Sequence, residues 1–366
     1  MNFSVPTSVF SDMLSLICSV TPERSARPIL QNLRLDGVEG NTILVSATDL
    51  EIGLKISLEV EKLSDPVATL LPASRLNSLV KRLIGDVTAK ELLLSIEENK
   101  AKIKTKGGSF QIPGADVLDY PVIPDFTSEG AVFIHGDDFS DAVQKTIFAT
   151  AKGDTRYALG GIFVKVFENT IEFVASDTHR LSLVKKKIRN PDNSSYEGIL
   201  LTKGMATLSR MGAGQETVEL NMTTNEMLAH TPNATLIIRR VDGMFPRYSD
   251  VIPPERDSIA TFNRETMIQT LYTIGLMASD ETKVVKLSIS SGVIEVSTSS
   301  ENGDGTSRVD AEVTGPDLDI KFNYVFLIDA LKNMADDTVS LQYKDGDSPA
   351  RLDSGDFLYV IMPVNR

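Results

Sequence analysis

The chain has 366 residues, 42% of them hydrophobic and 24% charged, a globular composition with enough apolar residues for several separate cores. A net charge of −13 argues against general attraction to phosphates, although an acidic exterior with a basic inner face gives the same total. No apolar run approaches the ~20 residues of a membrane helix. We expect no membrane segment and no secretory signal, and the single cysteine, Cys18, fits a cytoplasmic location.

The first third of the chain predicts two helices among many strands. Apolar residues at helical spacing predict helices around residues 10–17 and 73–83. Alternating or apolar runs predict strands at 29–35, 42–47, 51–60, 91–96, 100–105 and 109–112, with hairpin turns at 97–99 and 106–108. Both helices are apolar on one side, so each is expected to cover a sheet.

The same order of elements returns twice along the chain. The second third predicts helices at 137–151 and 203–211. The last third predicts a helix carrying Met267, Leu271 and Ile274, a second helix at 324–334 and a closing apolar strand at 357–362. No low-complexity segment separates these parts.

The sequence itself also repeats. Residues 41–52 return at 169–181, an offset of 169 − 41 = 128 residues, and residues 120–124 return within 245–253. A period of this length is that of a whole domain, too long for a solenoid repeat. We therefore predict an α+β fold of three repeated domains at 1–125, 130–253 and 256–366, each with two helices packed on antiparallel sheets.

Few residues suggest chemistry. There is no phosphate-binding glycine loop and no zinc-ligand spacing, so no metal or cofactor is expected. His179 lies in a polar motif where Asp177 could orient it as a general base. In the alternative, which we favour, Asp177 and Thr178 bond the local backbone and Arg180 pairs with an acid. The parallel turn at Asp49 lacks both His and Arg, which makes the turn architectural and the His-Arg pair a candidate binding feature.

Basic residues recur on or near the predicted helices. If these helices lined one surface, the cations would form a sparse positive track for loose, sequence-independent phosphate contacts; ordinary surface mixing explains them equally well on charge alone. The candidates for these contacts with a nucleic-acid backbone are Arg24, Arg75, Lys81, Arg82, Lys152, Lys203 and Arg210.

Five short motifs, taken in order on this threefold repeat, resemble the bacterial sliding clamp family, the beta subunit of DNA polymerase III. They are Arg24 before residues 28–33, then residues 155–161, 176–181, 245–253 and 359–363. The resemblance implies a non-catalytic processivity factor with three DNA-clamp domains. Two chains would join head to tail into a six-domain ring around double-stranded DNA, with helices inside and sheets outside.

The resemblance also implies partners and their sites. The ring would bind the replicative polymerase catalytic subunit, the clamp loader and other proteins with a clamp-binding motif. Phe110 and Ile112 match one side of the family's dimer interface, and Leu276 and Met277 match the other, although burial in their own domains would explain both pairs. A pocket for partner peptides matches Leu159, Ser176, Thr178, His179, Arg180, Leu181, Pro246, Val251, Ser348, Val360, Ile361, Met362, Pro363 and Val364.

Aliphatic and methionine side chains suit such an adaptable pocket. The sequence departs from the family at Thr178, at Asp250, at Ala158 and in its tail of Val364, Asn365 and Arg366. Two rival interpretations remain: an enzyme using Asp177 and His179, and a repeat-built scaffold without a DNA partner.

Overall fold

The computed structural model describes residues 1–86, 88–153, 157–255 and 258–364. Close packing divides the chain into two compact units. The first consists of Met1–Ser140, Ile188–Ser194 and Lys203–Arg240, and the second of Asp141–Lys187, Ser195–Thr202 and Val241–Arg366. No helix in these described ranges is long and apolar enough to cross a membrane.

Each third of the described chain contributes two α-helices. They are α1 (Thr7–Val20), α2 (Ala73–Leu83), α3 (Gly136–Ile147), α4 (Thr202–Gly212), α5 (Arg264–Gly275) and α6 (Tyr324–Lys332). Short 3-10 helices lie at Pro28–Gln31, Tyr157–Leu159 and Tyr248–Asp250.

Strands make up most of the remaining secondary structure. In the first third they are β1 (Asn2–Pro6), β2 (Asn32–Val38), β3 (Thr42–Thr48), β4 (Ile52–Glu59), β5 (Glu61–Ser64), β6 (Ala68–Pro72), β7 (Glu91–Glu97), β8 (Lys100–Lys104) and β9 (Ser109–Pro113). In the second they are β10 (Val132–Ile134), β11 (Gly161–Phe167), β12 (Thr170–Ser176), β13 (Arg180–Lys187), β14 (Tyr196–Leu201), β15 (Val218–Met222), β16 (Glu226–Thr231) and β17 (Ala234–Val241). In the last they are β18 (Ile259–Asn263), β19 (Val284–Ser290), β20 (Val293–Ser300), β21 (Gly303–Thr314), β22 (Leu318–Asn323), β23 (Thr338–Gln342), β24 (Ala350–Ser354) and β25 (Phe357–Ile361).

The first unit contains two antiparallel sheets. One has the order β5-β1-β7-β8-β9. The other runs β6-β2-β3-β4-β17-β16-β15-β10, and its pairing of β4 with β17 joins strands from the first and second thirds of the chain. We call this pairing the first junction.

The second unit repeats this arrangement. One sheet runs β14-β11-β12-β13-β25-β24-β23-β18-β21, and the N-terminal part of β21 closes a second sheet with the order β22-β19-β20-β21. The pairing of β13 with β25 joins strands from the second and last thirds, and we call it the second junction. The same connection is thus made twice.

The one-sided helices cover the sheets, as the apolar spacing predicts. On α1 the residues Phe10, Leu14 and Ile17 are fully buried, and the helix packs on α2, β3 and β4. In the second unit α5 packs on α6, β20 and β21. Asn263 caps α5 by accepting a hydrogen bond from the Thr266 N–H at 2.9 Å, which satisfies a donor that the first helical turn leaves unpaired.

The element predictions are wrong at some ends. Residues predicted to begin a strand at 29 form a 3-10 helix instead, because Pro28 has a fixed φ and no N–H and therefore suits a first helical position. The third helix ends at Ile147, before the predicted residue 151. Beyond it the Ala149 N–H bonds the Thr146 carbonyl at 3.0 Å, a tighter turn. In the first third, the strands β1, β5 and β6 were not predicted.

Candidate functional site

The polar motif at 176–180 is a tight turn between β12 and β13. The Asp177 Oδ1 accepts hydrogen bonds from the N–H groups of His179 (3.0 Å) and Arg180 (3.1 Å). Ser176 Oγ donates to the Arg180 carbonyl at 2.8 Å. Thr178 has φ 78°, a left-handed conformation that β-branched residues rarely adopt. The favoured interpretation of this segment as a backbone turn is confirmed for Asp177, but the second side chain that bonds the backbone is that of Ser176 and not that of Thr178.

Arg180 is buried beneath this turn with its charge already paired. Its guanidinium bonds Asp177 at 3.0 Å, Asp329 at 2.7 Å and the Phe148 carbonyl at 2.6 Å. It also lies 4.2 Å from the Phe326 ring centroid. Burial by itself would lower the pKa of Arg180, but Tyr359 and the two carboxylates outweigh it and raise the pKa. Arg180 therefore links β13 to the last third of the chain, in addition to the part in binding that we expected of the His-Arg pair.

This geometry also separates His179 from Asp177. The oxygens of Asp177 are engaged by two backbone N–H groups and by Arg180. The exposed ring of His179 instead stacks near Phe326, with centroids 6.5 Å apart. A carboxylate engaged in this way does not orient the imidazole as a general base. Within the described ranges, no group of three or more His, Cys, Asp or Glu side chains is placed to hold a metal ion.

An apolar cavity of about 240 Å³ opens beside the turn at the second junction. Most of the residues that we predicted for a peptide pocket line it: Leu159, Ser176, Thr178, Arg180, Leu181, Pro246, Val251, Val360 and Met362. Three further lining residues were missed, namely Phe245, Arg247 and Tyr248. The walls are mainly aliphatic and aromatic, which suits apolar side chains of a ligand.

The remaining predicted pocket residues lie outside the cavity lining. Ile361 points into the core because side chains alternate along β25. The backbone carbonyl of His179 accepts a hydrogen bond from Met362. Ser348 belongs to a turn capped by Asp345, and Pro363 is half-buried beyond the strand. Val364 donates its N–H to the Lys321 carbonyl, which directs the tail along β22.

Tyr248 forms a rigid wall of this cavity. Its hydroxyl donates to the buried Glu172 carboxylate at 2.5 Å, and Glu172 pairs with Lys185 at 2.7 Å. The Tyr248 ring packs on Phe163, which stacks on Phe245 at 5.1 Å. Burial and the Glu172 carboxylate both raise the pKa of Tyr248. The tyrosine is visible in the sequence, but its partner Glu172 is 76 residues away, so spacing gave no indication of this contact.

The predicted DNA-contacting residues are all exposed. Six of them, Arg24, Arg75, Lys81, Arg82, Lys203 and Arg210, belong to the first unit, and Lys152 belongs to the second. Lys203 differs from the rest because its amine pairs with Asp49 at 2.6 Å and bonds the Val20 carbonyl at 3.1 Å. Its charge is already partly used at the first junction.

The predicted interface residues lie at or near two sheet edges. Phe110 and Ile112 are on β9, an edge strand that pairs with β8. Ile112 is buried against its own sheet, as the alternative of a core role requires, whereas Phe110 is 36% exposed. After α5, Leu276 is 73% exposed, and Met277 lies against the start of β21 near Gly303. The part of β21 that pairs with β20 is also a sheet edge.

The departures from the family pattern are mostly at the surface. Asp250 is exposed in the 3-10 helix at Tyr248–Asp250, and Ala158 approaches Gly243. Residues 155 and 156 of the predicted motif, residue 256 at the predicted third-domain start, and the tail residues Asn365 and Arg366 lie outside the described residues.

Three repeats of two helices on antiparallel sheets define an α+β clamp fold, and the apolar cavity belongs to its last two repeats. Models of the DNA polymerase III beta subunit match the chain along its length: the N-terminal domain at residues 1–124, the central domain at 133–247 and the C-terminal domain at 249–365. The chain therefore belongs to the DNA polymerase III beta subunit family. It is a DNA sliding clamp, a replication processivity factor without catalytic activity of its own.

Relatives cover the chain from end to end. The beta sliding clamp of Pseudomonas aeruginosa is 26% identical over 369 residues, and that of Haemophilus influenzae is 24% identical over 369 residues, with 100% of both chains covered in each case. A crystal structure of the Pseudomonas aeruginosa clamp bound to griselimycin has a TM-score of 0.92 at 25% identity, covering 100% of both chains. The beta subunit of Thermotoga maritima shares the fold, with a TM-score of 0.91 at 24% identity, covering 100% of this chain and 99% of the other.

Proposed function

We propose that two copies of this chain join head to tail into a ring around double-stranded DNA, and that the apolar cavity at the second junction tethers partner proteins to it. The partners are the replicative polymerase catalytic subunit, the clamp loader and other proteins with a clamp-binding motif, in the cytoplasm. The three domains of each chain are those predicted at 1–125, 130–253 and 256–366. The cavity at the second junction is the observation that carries the tethering.

The cavity has the chemistry of a site for short extended peptides. Leu159, Leu181 and Val360 offer buried apolar walls, while Met362 is 39% exposed at the opening and can adjust to different anchors. Phe245 and Tyr248 add flat aromatic surface that is held in place by Glu172. A rigid apolar pocket with a flexible methionine lets many partners use one site.

Two sheet edges support the head-to-tail dimer. The edge strand β9 follows β8, whose exposed Lys100, Lys102 and Lys104 make that edge basic. The part of β21 that pairs only with β20 carries the exposed carboxylates of Asp304 and Asp310, and its one arginine, Arg308, pairs with Glu295. The basic edge of one copy pairs with the acidic edge of the other, and a closed ring leaves neither edge exposed.

Encirclement explains how an acidic protein retains DNA. A closed ring leaves circular DNA only by opening, so weak contacts from exposed cations such as Arg24, Lys81 and Arg210 suffice. Tight phosphate contacts would slow sliding. The net charge of −13 is therefore compatible with a DNA partner.

One substitution tests whether the cavity binds partner peptides, and a second substitution serves as its control. Met362→Glu places a charge at the cavity opening and should weaken binding of the polymerase's C-terminal peptide at least tenfold, measured by fluorescence anisotropy. Leu118→Glu, a matched change at a residue 86% exposed and outside the cavity, should leave the affinity unchanged. Equal affinity for both variants would remove the cavity from the function.

A third substitution tests the dimer. Met277→Glu should yield monomers in sedimentation velocity, because it would bury an unpaired charge beside the β21 edge. Met244→Glu, at a side chain 92% exposed, serves as the control and should remain dimeric. A Met277→Glu dimer as stable as the wild type would exclude Met277 from the interface.

A further inference from the structure

A second groove, of about 270 Å³, lies at the first junction and has no part in the proposed function. It lies entirely in the first unit, where the turn after β3, the segment at 121–124 and the strand β17 meet. Its lining residues are Thr48, Leu50, Glu51, Gly53, Pro121, Val122, Ile123, Pro124, Glu226, Ile237 and Arg239.

The backbone of this groove reproduces that of the peptide cavity. Asp49 Oδ1 accepts from the N–H groups of Glu51 (3.1 Å) and Ile52 (2.8 Å), as Asp177 does in its own turn. The Arg239 N–H bonds the Glu51 carbonyl at 2.9 Å, and the Met362 N–H bonds the His179 carbonyl at 2.8 Å. Two separate hydrogen-bond patterns thus recur, and their turn residues Asp49 and Glu51 return as Asp177 and His179 at the offset of 128 residues.

The strained residue recurs as well. Leu50 and Thr178 occupy equivalent turn positions, and both have φ 78°. Neither is glycine, so each turn holds a bulky side chain in a conformation that costs free energy. Such strain persists where the surrounding structure fixes it, and both residues line their cavities.

The strand register makes the two linings correspond in part, since the cavity residues Leu159, Phe245 and Tyr248 have no counterpart among the residues that line the groove. Gly53 pairs with Ile237 at the first junction, as Leu181 pairs with Val360 at the second. The remaining equivalences follow from the repeat and its register: Thr48 with Ser176, Pro121 with Pro246, Val122 with Val251, and Arg239 with Met362. Val122 is 84% exposed and Val251 51% exposed, so each valine is open to a ligand.

The charges of the two linings differ in sign. The groove at the first junction carries Glu51 and Glu226 against one cation, Arg239. The cavity at the second junction has no carboxylate in its lining and carries the exposed Arg247, whereas the charge of its buried Arg180 is already paired with Asp177 and Asp329. Opposite charges at the rim select ligands of opposite charge even where the apolar anchors are alike.

We propose that the groove at the first junction is a second docking site, which binds an extended peptide with an aliphatic or aromatic anchor next to a lysine or arginine. This inference rests on the proposed function, because it takes the equivalent cavity to be a peptide site. Gly53 replaces Leu181 in the lining, so the groove presents less apolar surface, and its affinity is lower than that of the cavity.

The test uses two fluorescein-labelled pentapeptides with the same leucine and phenylalanine anchors, one ending in lysine and the other in glutamate. Val122→Lys blocks the groove and Val251→Lys blocks the cavity; both positions are exposed, so the fold tolerates either change. Calorimetry with the lysine peptide should give two equivalents per chain for the wild type, one for each variant and none for the double variant. The glutamate peptide should bind the groove about tenfold more weakly.

Each contrary result has its own meaning. Loss of all binding in Val251→Lys would overturn the second site and leave the proposed function standing. Loss of all binding in Val122→Lys, with Val251→Lys unchanged, would refute the cavity as a peptide site and retain the groove. Two equivalents in the double variant would overturn both assignments, and equal affinity of the two peptides for the groove would overturn its charge selectivity.

Discussion

The two junctions have the same backbone geometry, but different side-chain interactions hold them together. At the first junction the position equivalent to Arg180 is Ile52, which is buried, and Ile123 packs with Leu228 and Ile237. At the second junction Arg180 brings a buried charge that is paired by carboxylates and rings. The repeated turn and strand register thus determine the backbone of each junction. The side chains determine whether apolar packing or ion pairs stabilise it.

The second junction also contains a half-buried network of four charges. Lys186 bonds Asp141 at 2.6 Å and Asp356 at 2.5 Å, and Lys145 bonds the same carboxylates at 2.8 and 3.2 Å. Asp356 lies in the turn between β24 and β25, whereas both lysines lie in the second third of the chain. Each lysine therefore contacts both carboxylates, and these contacts offset the desolvation of the half-buried charges.

The largest expected effect comes from removing the ion pairs of Arg180 at the second junction. Arg180→Ala leaves the partly buried carboxylates of Asp177 and Asp329 without their cation and should cost about 4 kcal/mol of unfolding free energy, measured by urea denaturation. Arg308→Ala removes an arginine that is 74% exposed and pairs with Glu295, and it should cost less than about 1 kcal/mol. Similar costs for the two variants would mean that burial of Arg180 does not matter.

Removing the apolar packing of Ile123 at the first junction should have a smaller effect on stability. Ile123→Ala removes a side chain that is 7% exposed and leaves a cavity beside Gly53, at an expected cost of about 3 kcal/mol. The neighbouring Val122→Ala, at a side chain 84% exposed, should stay within about 0.5 kcal/mol of the wild type in the same denaturation experiment. If Val122→Ala proved the more destabilising, the groove would be packed differently from this account.

The smallest effect comes from one carboxylate of the charge network, and it should depend on pH. Asp356→Asn should cost about 2 kcal/mol at neutral pH. Burial alone would raise the pKa of Asp356, but Lys186 and Lys145 outweigh it and lower the pKa below the ordinary value. The stabilisation is therefore present above about pH 4 and lost as the pH falls through the folded-state pKa.

Denaturation of the wild type and of Asp356→Asn between pH 3 and pH 8 measures this dependence. The difference between them should be constant at neutral pH and shrink in acid. Asp347→Asn, at an exposed carboxylate, should show no comparable difference at any pH. A difference for Asp356→Asn that grew in acid would contradict the sign of the pKa shift.

The repeat and the helices could be predicted from the sequence, because both depend on local pattern. The helical spacing of apolar residues such as Phe10 and Ile17 predicted α1, and the likeness of residues 41–52 to residues 169–181 predicted that the same turn occurs twice. Most of the cavity lining followed from the family resemblance. The misses concern contacts between distant residues: Arg180 with Asp329, Tyr248 with Glu172, and Lys186 with Asp356. Side-chain type and spacing carry no information on which distant partner a buried charge will meet.

Strand alternation explains a further error. The terminal strand was predicted to line the pocket with consecutive residues, but Val360 and Met362 face the cavity whereas Ile361 faces the core. Neighbouring side chains on a strand point to opposite faces, so only alternate residues of this strand line the cavity.

Retention on DNA of different topology tests the central claim most directly. The protein would be loaded by a clamp loader onto nicked circular plasmid, half of the sample would be linearised, and both halves would pass through a sizing column in moderate salt. We expect the protein to stay on the circles and to leave the linear DNA, because a ring slides off free ends. Equal retention on both would mean ordinary direct binding, and equal loss from both would contradict encirclement.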